Sequence, residues 1–276
     1  MTKLTFAITK GTWGGAQKYV YELATRMPKG EFQTEVIVGV AGDLSRKLAD
    51  AGVQCHAIPE LGRNIRVVED IRSLHALYRH LRSNRPDVLH LNSSKMAGLG
   101  ALAGRLTGVP RIIVTMHGVP FLEHWRNPVS RFLIWVLSYF SALLSHATIT
   151  ISERDFRSMR SLPFLKHKVQ LIPIGIESIV FATREEAYMR LSLPEGKEFL
   201  LATTAEMHTN KNLKEAVRAV AHYNKSAPRK IRYVILGDGE EREALEHIIE
   251  HDKLHGDVIL LGRVPEAGLY LKAFDG

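Results

Sequence analysis

Four short segments of this chain combine glycines with residues able to hold an anion. The first, TKGTWGGAQK over 9–18, follows an apolar run and precedes an amphipathic one. Gly14 and Gly15 would let backbone N–H groups come close to a phosphate at a helix N-terminus. Neither GxxxxGK[ST] nor GxGxxG is satisfied here, and a tight turn accounts for a glycine pair equally well. In the second, TMHG, His117 follows a strand-like run and is succeeded by Gly118, so its imidazole can be offered beyond a strand end. The third, AEMHTNKN over 205–212, sets Lys211 and Asn212 at the start of an amphipathic stretch. A point charge beside free backbone donors suits a diphosphate. The fourth, GDGEE from Gly237 to Glu241, reads mainly as a turn with an acidic N-cap, its glycine available for ligand approach. HExxH, GxSxG and paired-cysteine patterns are absent, which excludes the metalloprotease and serine-hydrolase readings.

These segments need strands ending at them. Apolar runs at 4–8, 34–40, 54–58, 88–91, 111–116, 147–151 and 169–172 read as strands. Helical patterns fall between them at 16–26, 44–51, 67–84, 97–107, 129–145 and 153–162. Alternation of this kind predicts an α/β fold with a parallel sheet, in which ligands sit beyond the carboxyl ends of the strands. After 172 a Pro- and Gly-containing, charged stretch reads as a crossing into a second series. That series has strands at 199–205, 233–237 and 258–261 and helices at 212–223, 240–251 and 266–274. The expected organisation is therefore two domains, 1–172 and 173–276. The second holds three strands where a doubly wound domain has five or six, so Gly276 reads as a cut within it.

Composition bounds the partners. With 45% hydrophobic and 24% charged residues the chain is neither collagenous, mucin-like nor disordered. A single cysteine, Cys55, permits no intrachain disulfide and no CxxC pair, which fits a reducing, cytoplasmic setting, and no export signal precedes the first strand. The net charge of +8 is concentrated between 61 and 131, where eleven Lys or Arg face four Asp or Glu. That excess predicts either an anionic partner or a solvated helix face. FLIWVLSYFSALL over 132–144 is too short for the roughly 20 residues of a membrane span. A buried core helix is expected there, with an interfacial membrane helix as the alternative. Nothing in the pattern of Arg and aromatic residues favours nucleic acid.

Taken in order, GGAQ (14–17), PDVLHLNSSK (86–95), TMHG (115–118), TISE (150–153), IPIGIE (172–177), KN (211–212), GDG (237–239) and LG (261–262) resemble the GT-B glycosyltransferases of family 4, the glycosyl transferases group 1. The likeness runs along the whole chain. It implies two Rossmann-like domains, the first on the acceptor side and the second binding a nucleotide-sugar. It also implies retaining transfer of a sugar from a UDP- or GDP-sugar to a glycan or lipid-linked acceptor in surface polysaccharide synthesis, without an obligatory metal or cofactor. By position, His117 would contact the donor sugar. Gly14, Gly15, Lys211, Asn212 and Gly237 would serve donor or phosphate, and Gln17, Asn92, Ser94 and Glu153 are candidates for the acceptor side. Lys211 would neutralise the departing diphosphate.

In two places the chain departs from that pattern. Glu206 stands where many members carry an Arg, which predicts either a substitute basic group or weaker diphosphate binding, and the E-x7-E element that grips donor sugar and ribose would begin beyond Gly276. With the basic stretch and the helix at 129–145, contact with an anionic membrane at the inner face is expected. An inactive binding or scaffold fragment and a sugar-nucleotide 2-epimerase are the competing readings.

Overall fold

A computed structural model describes residues 1–59, 61, 67–122, 126–176 and 178–276. The chain forms two compact units, Met1–Gly175 and Ile176–Gly276.

The first unit runs β1 (Thr2–Lys10), α1 (Gly15–Arg26), β2 (Phe32–Val40), α2 (Asp43–Asp50), β3 (Gln54–Ala57), α3 (Val67–Asn84), β4 (Val88–Asn92), α4 (Ser94–Thr107), β5 (Arg111–Met116), α5 (Pro128–Leu144), β6 (Ala147–Thr150), α6 (Glu153–Arg160) and β7 (Val169–Leu171). The strands pair in parallel in the order β3-β2-β1-β4-β5-β6-β7. β1 is buried from Leu4 to Thr9, as a central strand covered on both faces must be. Alternation splits the apolar side chains into two layers. Phe6, Ile8, Val36 and Val38 pack with Val20 of α1 and Leu44 of α2, and Ala7, Ile37, Leu89, Leu91, Ile112 and Val114 pack with Leu77 of α3 and Ala101 of α4. Strand order reverses between β1 and β4, and a doubly wound sheet opens a crevice for ligands at such a point.

α4 lies close on the sheet because of its glycines. A Cβ at Gly100 would come within 2.4 Å of Leu91, and one at Gly104 within 2.9 Å of Ile112. The next helix corrects an expectation. α5 is not a core helix, since it buries Ser138, Ser141 and Ala142 and exposes Val129, Phe132, Leu133, Leu137 and Phe140. Small residues face inward because α4 comes near: a Cβ at Gly98 would stand 3.5 Å from Ser141 Oγ. Two buried hydroxyls are satisfied within the helix or beside it, Ser141 by the Leu137 carbonyl and Ser145 by that of Ala142.

The second unit runs α7 (Arg184–Leu191), β8 (Phe199–Thr204), α8 (Leu213–Asn224), β9 (Ile231–Leu236), α9 (Arg242–His251) and β10 (Val258–Gly262). Its three strands are parallel, in the order β10-β9-β8. One face packs Leu213 and Val217 of α8 and Leu245 and Ile249 of α9 on Tyr233 and Ile235. The other packs Ala187 and Leu191 on Leu200, Val234 and Leu236. Two expectations change here. The stretch read as a plain crossing contains α7, which is started by a capping box: Glu186 N–H donates to Thr183 Oγ1 (3.2 Å) and Thr183 N–H to Glu186 Oε2 (2.9 Å). The helix expected at 266–274 is instead 3₁₀, Ala267–Ala273, following a left-handed Glu266. Asp275 and Gly276 then run beside β8, with Asp275 N–H donating to Leu200 O and Ala202 N–H to Gly276 O.

Candidate functional site

In the first unit the sequence-predicted residues gather at the carboxyl ends of neighbouring strands. Gly14 and Gly15 follow β1, Asn92 ends β4 with Ser94 just beyond, His117 follows β5 and Glu153 follows β6. Thr9 and Ser93 hold the switch point together, their hydroxyls 2.7 Å apart while Thr9 N–H donates to Ser93 Oγ. Gly14 caps α1 through its backbone, with its carbonyl accepting from Lys18 N–H at 2.8 Å. Nothing lies within 4 Å of a Cβ built on Gly15, so its space is open. The glycine that the turn demands is Gly11, where a Cβ would strike Val40 O at 2.2 Å.

A polar file runs beneath this edge. His90 and Asn92 point to the α1 face of the sheet because they alternate with Leu89 and Leu91. Asn92 is level with Thr115 across the β4–β5 register, and His117 lies two residues further on. His117 Nε2–H donates to Asn92 Oδ1 at 3.0 Å. Asn92, fully buried, donates from Nδ2 to the His90 carbonyl at 3.3 Å. His90 Nε2 lies 2.7 Å from Thr115 Oγ1, and Tyr19 of α1 reaches the same hydroxyl at 3.4 Å. The Tyr19 ring stands edge-on to His117, with centroids 5.0 Å apart. Burial lowers the His117 pKa to about 4; burial, and then the neighbouring His117, lower that of His90 to about 4. Both rings are therefore neutral near pH 7. Since Nε2 of His117 carries the proton, its Nδ1 is a bare acceptor.

Sequence reasoning had proposed Asn92 for an acceptor, and the structure gives it the orientation of His117. Gln17, buried, closes the first loop by donating from Nε2 to Lys10 O at 3.1 Å. Ser94 is exposed at the start of α4, and Glu153, exposed, pairs with Arg157 at 3.3 Å. Tyr19, His90 and Thr115 were missed as site residues. The available signal was alternation, since PDVLHLN places His and Asn on one strand face opposite two leucines. Within IPIGIE, Glu177 lies outside the described residues.

In the second unit two loops are fastened backbone to backbone. Met207 N–H donates to Asp238 O (3.0 Å) and Glu241 N–H to Met207 O (3.0 Å). Gly237 and Gly239 make this possible, because a Cβ at either would meet Ala205 O at 1.8 Å or Met207 O at 2.5 Å. Gly237 thus shapes the loop. The acidic N-cap expected within GDGEE falls on Glu241 by position alone, since its side chain bonds Lys214 Nζ (2.8 Å) and Thr209 Oγ1 (3.3 Å) and not the helix N-terminus. Lys211 closes a 3₁₀ turn before α8 and is exposed, with no ion pair among the described residues. Asn212 takes the left-handed conformation (φ 51°) that joins this turn to α8. Glu206 is exposed.

Away from these loops, α5 carries a file of rings that runs from the exposed Phe132 to Trp135 and Tyr139, which are partly buried against the core. Phe132 and Trp135 stack at 6.0 Å and Trp135 and Tyr139 at 5.9 Å. Its carboxyl end is held by cations: Arg105 Nε–H donates to Leu144 O at 2.5 Å, and Lys168 Nζ to Leu143 O and Ser145 O. Arg105, Arg111 and Lys168 crowd His146, whose pKa burial and these charges lower. No helix among the described residues is long and apolar enough to cross a membrane.

Residues 13–178 match the family described as Glycosyltransferase Family 4, and residues 185–275 match Glycosyl transferases group 1. Similar relatives include a UDP-Gal:alpha-D-GlcNAc-diphosphoundecaprenol alpha-1,3-galactosyltransferase of Escherichia coli, 28% identical over 95% of this chain and 68% of that protein. Another is a GalNAc-alpha-(1->4)-GalNAc-alpha-(1->3)-diNAcBac-PP-undecaprenol alpha-1,4-N-acetyl-D-galactosaminyltransferase of Campylobacter jejuni, 27% identical over 99% of this chain and 71% of that one. Among solved structures, Anabaena HepE in complex with UDP and glucose superposes with a TM-score of 0.80 at 14% identity, over 100% of this chain and 73% of that chain. Sucrose-phosphate synthase from Thermosynechococcus elongatus does so with a TM-score of 0.76 at 14% identity, over 100% and 74%. These structural neighbours share the fold.

Proposed function

Since the chain belongs to glycosyltransferase family 4 and is a GT-B glycosyltransferase, we propose that it moves a hexose from a UDP-sugar, with retention, to a saccharide on a polyprenyl diphosphate. The observation that carries this reading is the neutral His117, fixed by Asn92 at the carboxyl edge of the first sheet. Breaking a glycosidic bond gives the sugar oxocarbenium character and the leaving diphosphate negative charge. A protonated imidazole beside that sugar would oppose the developing positive charge. A neutral one, accepting at Nδ1, can take a sugar hydroxyl without that cost. Lys211, exposed and without an ion pair among the described residues, supplies the cation for the diphosphate, while Gly15 leaves room for a ligand near the switch point.

The uridine donor is supported by the name of the Escherichia coli relative and by the UDP bound in HepE, and the acceptor on undecaprenyl diphosphate by the names of both relatives. The outward apolar face of α5, with basic residues at its carboxyl end, fits docking on an anionic bilayer, where such an acceptor resides. Titration of the chain with UDP, GDP and ADP tests the donor reading. Selective binding of UDP, weakened at least tenfold in Lys211→Ala, supports it. Equal binding of all three, or UDP binding indifferent to Lys211, contradicts it.

A further inference from the structure

Away from the carboxyl edge, three side chains from separate elements converge on one point. Glu35 of β2, His56 of β3 and His80 of α3 place a carboxylate oxygen or an imidazole nitrogen within 4.8 Å of one another. All three lie on the α3 face, since Glu35 alternates with Val36 and His56 is level with Ile37. The polar file of His90 and Asn92 occupies the opposite face. His80 Nε2 is 3.2 Å from Glu35 Oε1 and His56 Nε2 is 3.4 Å from Oε2. Four-coordinate zinc with bonds of about 2.0–2.2 Å spaces its ligand atoms roughly 3.3–3.6 Å apart, so each imidazole nitrogen already stands about one ligand–ligand edge from an oxygen of the Glu35 carboxylate, His80 from Oε1 and His56 from Oε2. His56, whose side chain is 44% exposed, has room to turn so that one carboxylate oxygen serves both rings.

The surroundings are those of a ligand set. Thr5 Oγ1–H donates to Glu35 Oε1 at 2.7 Å and Asn84 Nδ2–H to Oε2 at 2.9 Å, so neutral donors already orient both carboxylate oxygens. Asn84 Nδ2 is also 2.9 Å from His80 Nε2. That nitrogen can accept from Asn84 or donate to Glu35, and one proton placement cannot serve both. A cation among the three ligands removes the conflict by taking the lone pair of each ring.

We infer that Glu35, His56 and His80 bind a divalent first-row transition metal of the zinc class, with solvent at the fourth position. Two imidazoles and one carboxylate are the donor set such ions favour. The metal ties β2, β3 and α3 together. It is remote from the polar file, so its effect is on the stability of the first unit.

The test uses tag-free, chelator-stripped full chain titrated with Zn²⁺ against a chromophoric competitor, and with Co²⁺ for its visible ligand-field bands. One tight equivalent and a four-coordinate Co²⁺ spectrum are expected, with affinity falling about 100-fold in His56→Ala and in His80→Ala, and about tenfold in Thr5→Val. The exposed pair His247 and His251 of α9, with ring centroids 6.1 Å apart, is the competing site. His251→Ala should leave the tight equivalent intact. His56→Ala changes an exposed side chain and keeps the test open should His80→Ala misfold. Tight binding that survives His56→Ala, or that is lost in His251→Ala, or no binding below millimolar Zn²⁺, overturns the assignment.

Discussion

Replacing Asn92 by Asp changes one atom type at the point where His117 is held. The amide oxygen that accepts from Nε2 at 3.0 Å becomes a carboxylate in the same place. In the native protein burial keeps the His117 pKa at about 4. An opposite charge at this distance raises a histidine by roughly 1–3 units, which brings the Asn92→Asp protein to about 5–7. At pH 5 the native enzyme then keeps about nine-tenths of its plateau kcat/KM, and the variant between about one-half and one-hundredth of its own. The assay is UDP release from the donor–acceptor pair between pH 4.5 and about 8, with the His117 ring followed by NMR over the same range. Asn92→Ala is the control. It frees the ring without adding charge, so it lowers the plateau but leaves the acid limb near that of the native protein. An Asn92→Asp profile whose acid limb coincides with the native one refutes the claim that neutral His117 is the working form.

Other expectations follow from the same geometry. His90 is protonated less readily when folded (about 4) than when unfolded (about 6.5), so its contribution to stability is full above pH 6.5 and is lost as pH falls towards 4. Urea unfolding at pH 7 and pH 5 should differ by about 2 kcal/mol from this residue, and His90→Gln should remove that share of the dependence while the similar share from His117 stays. Gly237→Ala drives a Cβ into the Ala205 carbonyl and should cost about 3 kcal/mol of second-unit stability, read as a lowered Tm. The triple change Phe132→Ser, Leu133→Ser and Phe140→Ser touches exposed side chains only. It should move stability by about 0.5 kcal/mol per site or less, while abolishing sedimentation with vesicles containing phosphatidylglycerol.

Much of the scaffold could be read from alternation, because parallel strands buried on both faces appear as short apolar runs between amphipathic stretches. β1 through β7 and β8 through β10 all fall where such runs were read. α7 escaped because REEAYMRL is too polar to signal a buried face, although Thr183 and Glu186 spelled a capping box. α5 was misjudged because hydropathy reports how apolar a segment is and not which side it turns inward. The inward side was set by its contact with the glycine-rich α4, a non-local fact. The same division applies to the site. His117, Gly14 and Lys211 were legible as residues at strand ends. Tyr19 and Thr115 joined His117 only through sheet register and packing across 96 residues of sequence separation. Glu35, His56 and His80 share no motif, because a β–α crossover and not their spacing brings them together.

The central claim is that this chain transfers a sugar from a uridine diphosphate donor while preserving its anomeric configuration. The most direct measurement is NMR of the product formed from a UDP-α-hexose and a polyprenyl-diphosphate saccharide. The account predicts one new glycosidic linkage, α at the transferred sugar, with its formation lost in His117→Ala. A β-linked product, or undiminished transfer in His117→Ala, would contradict it.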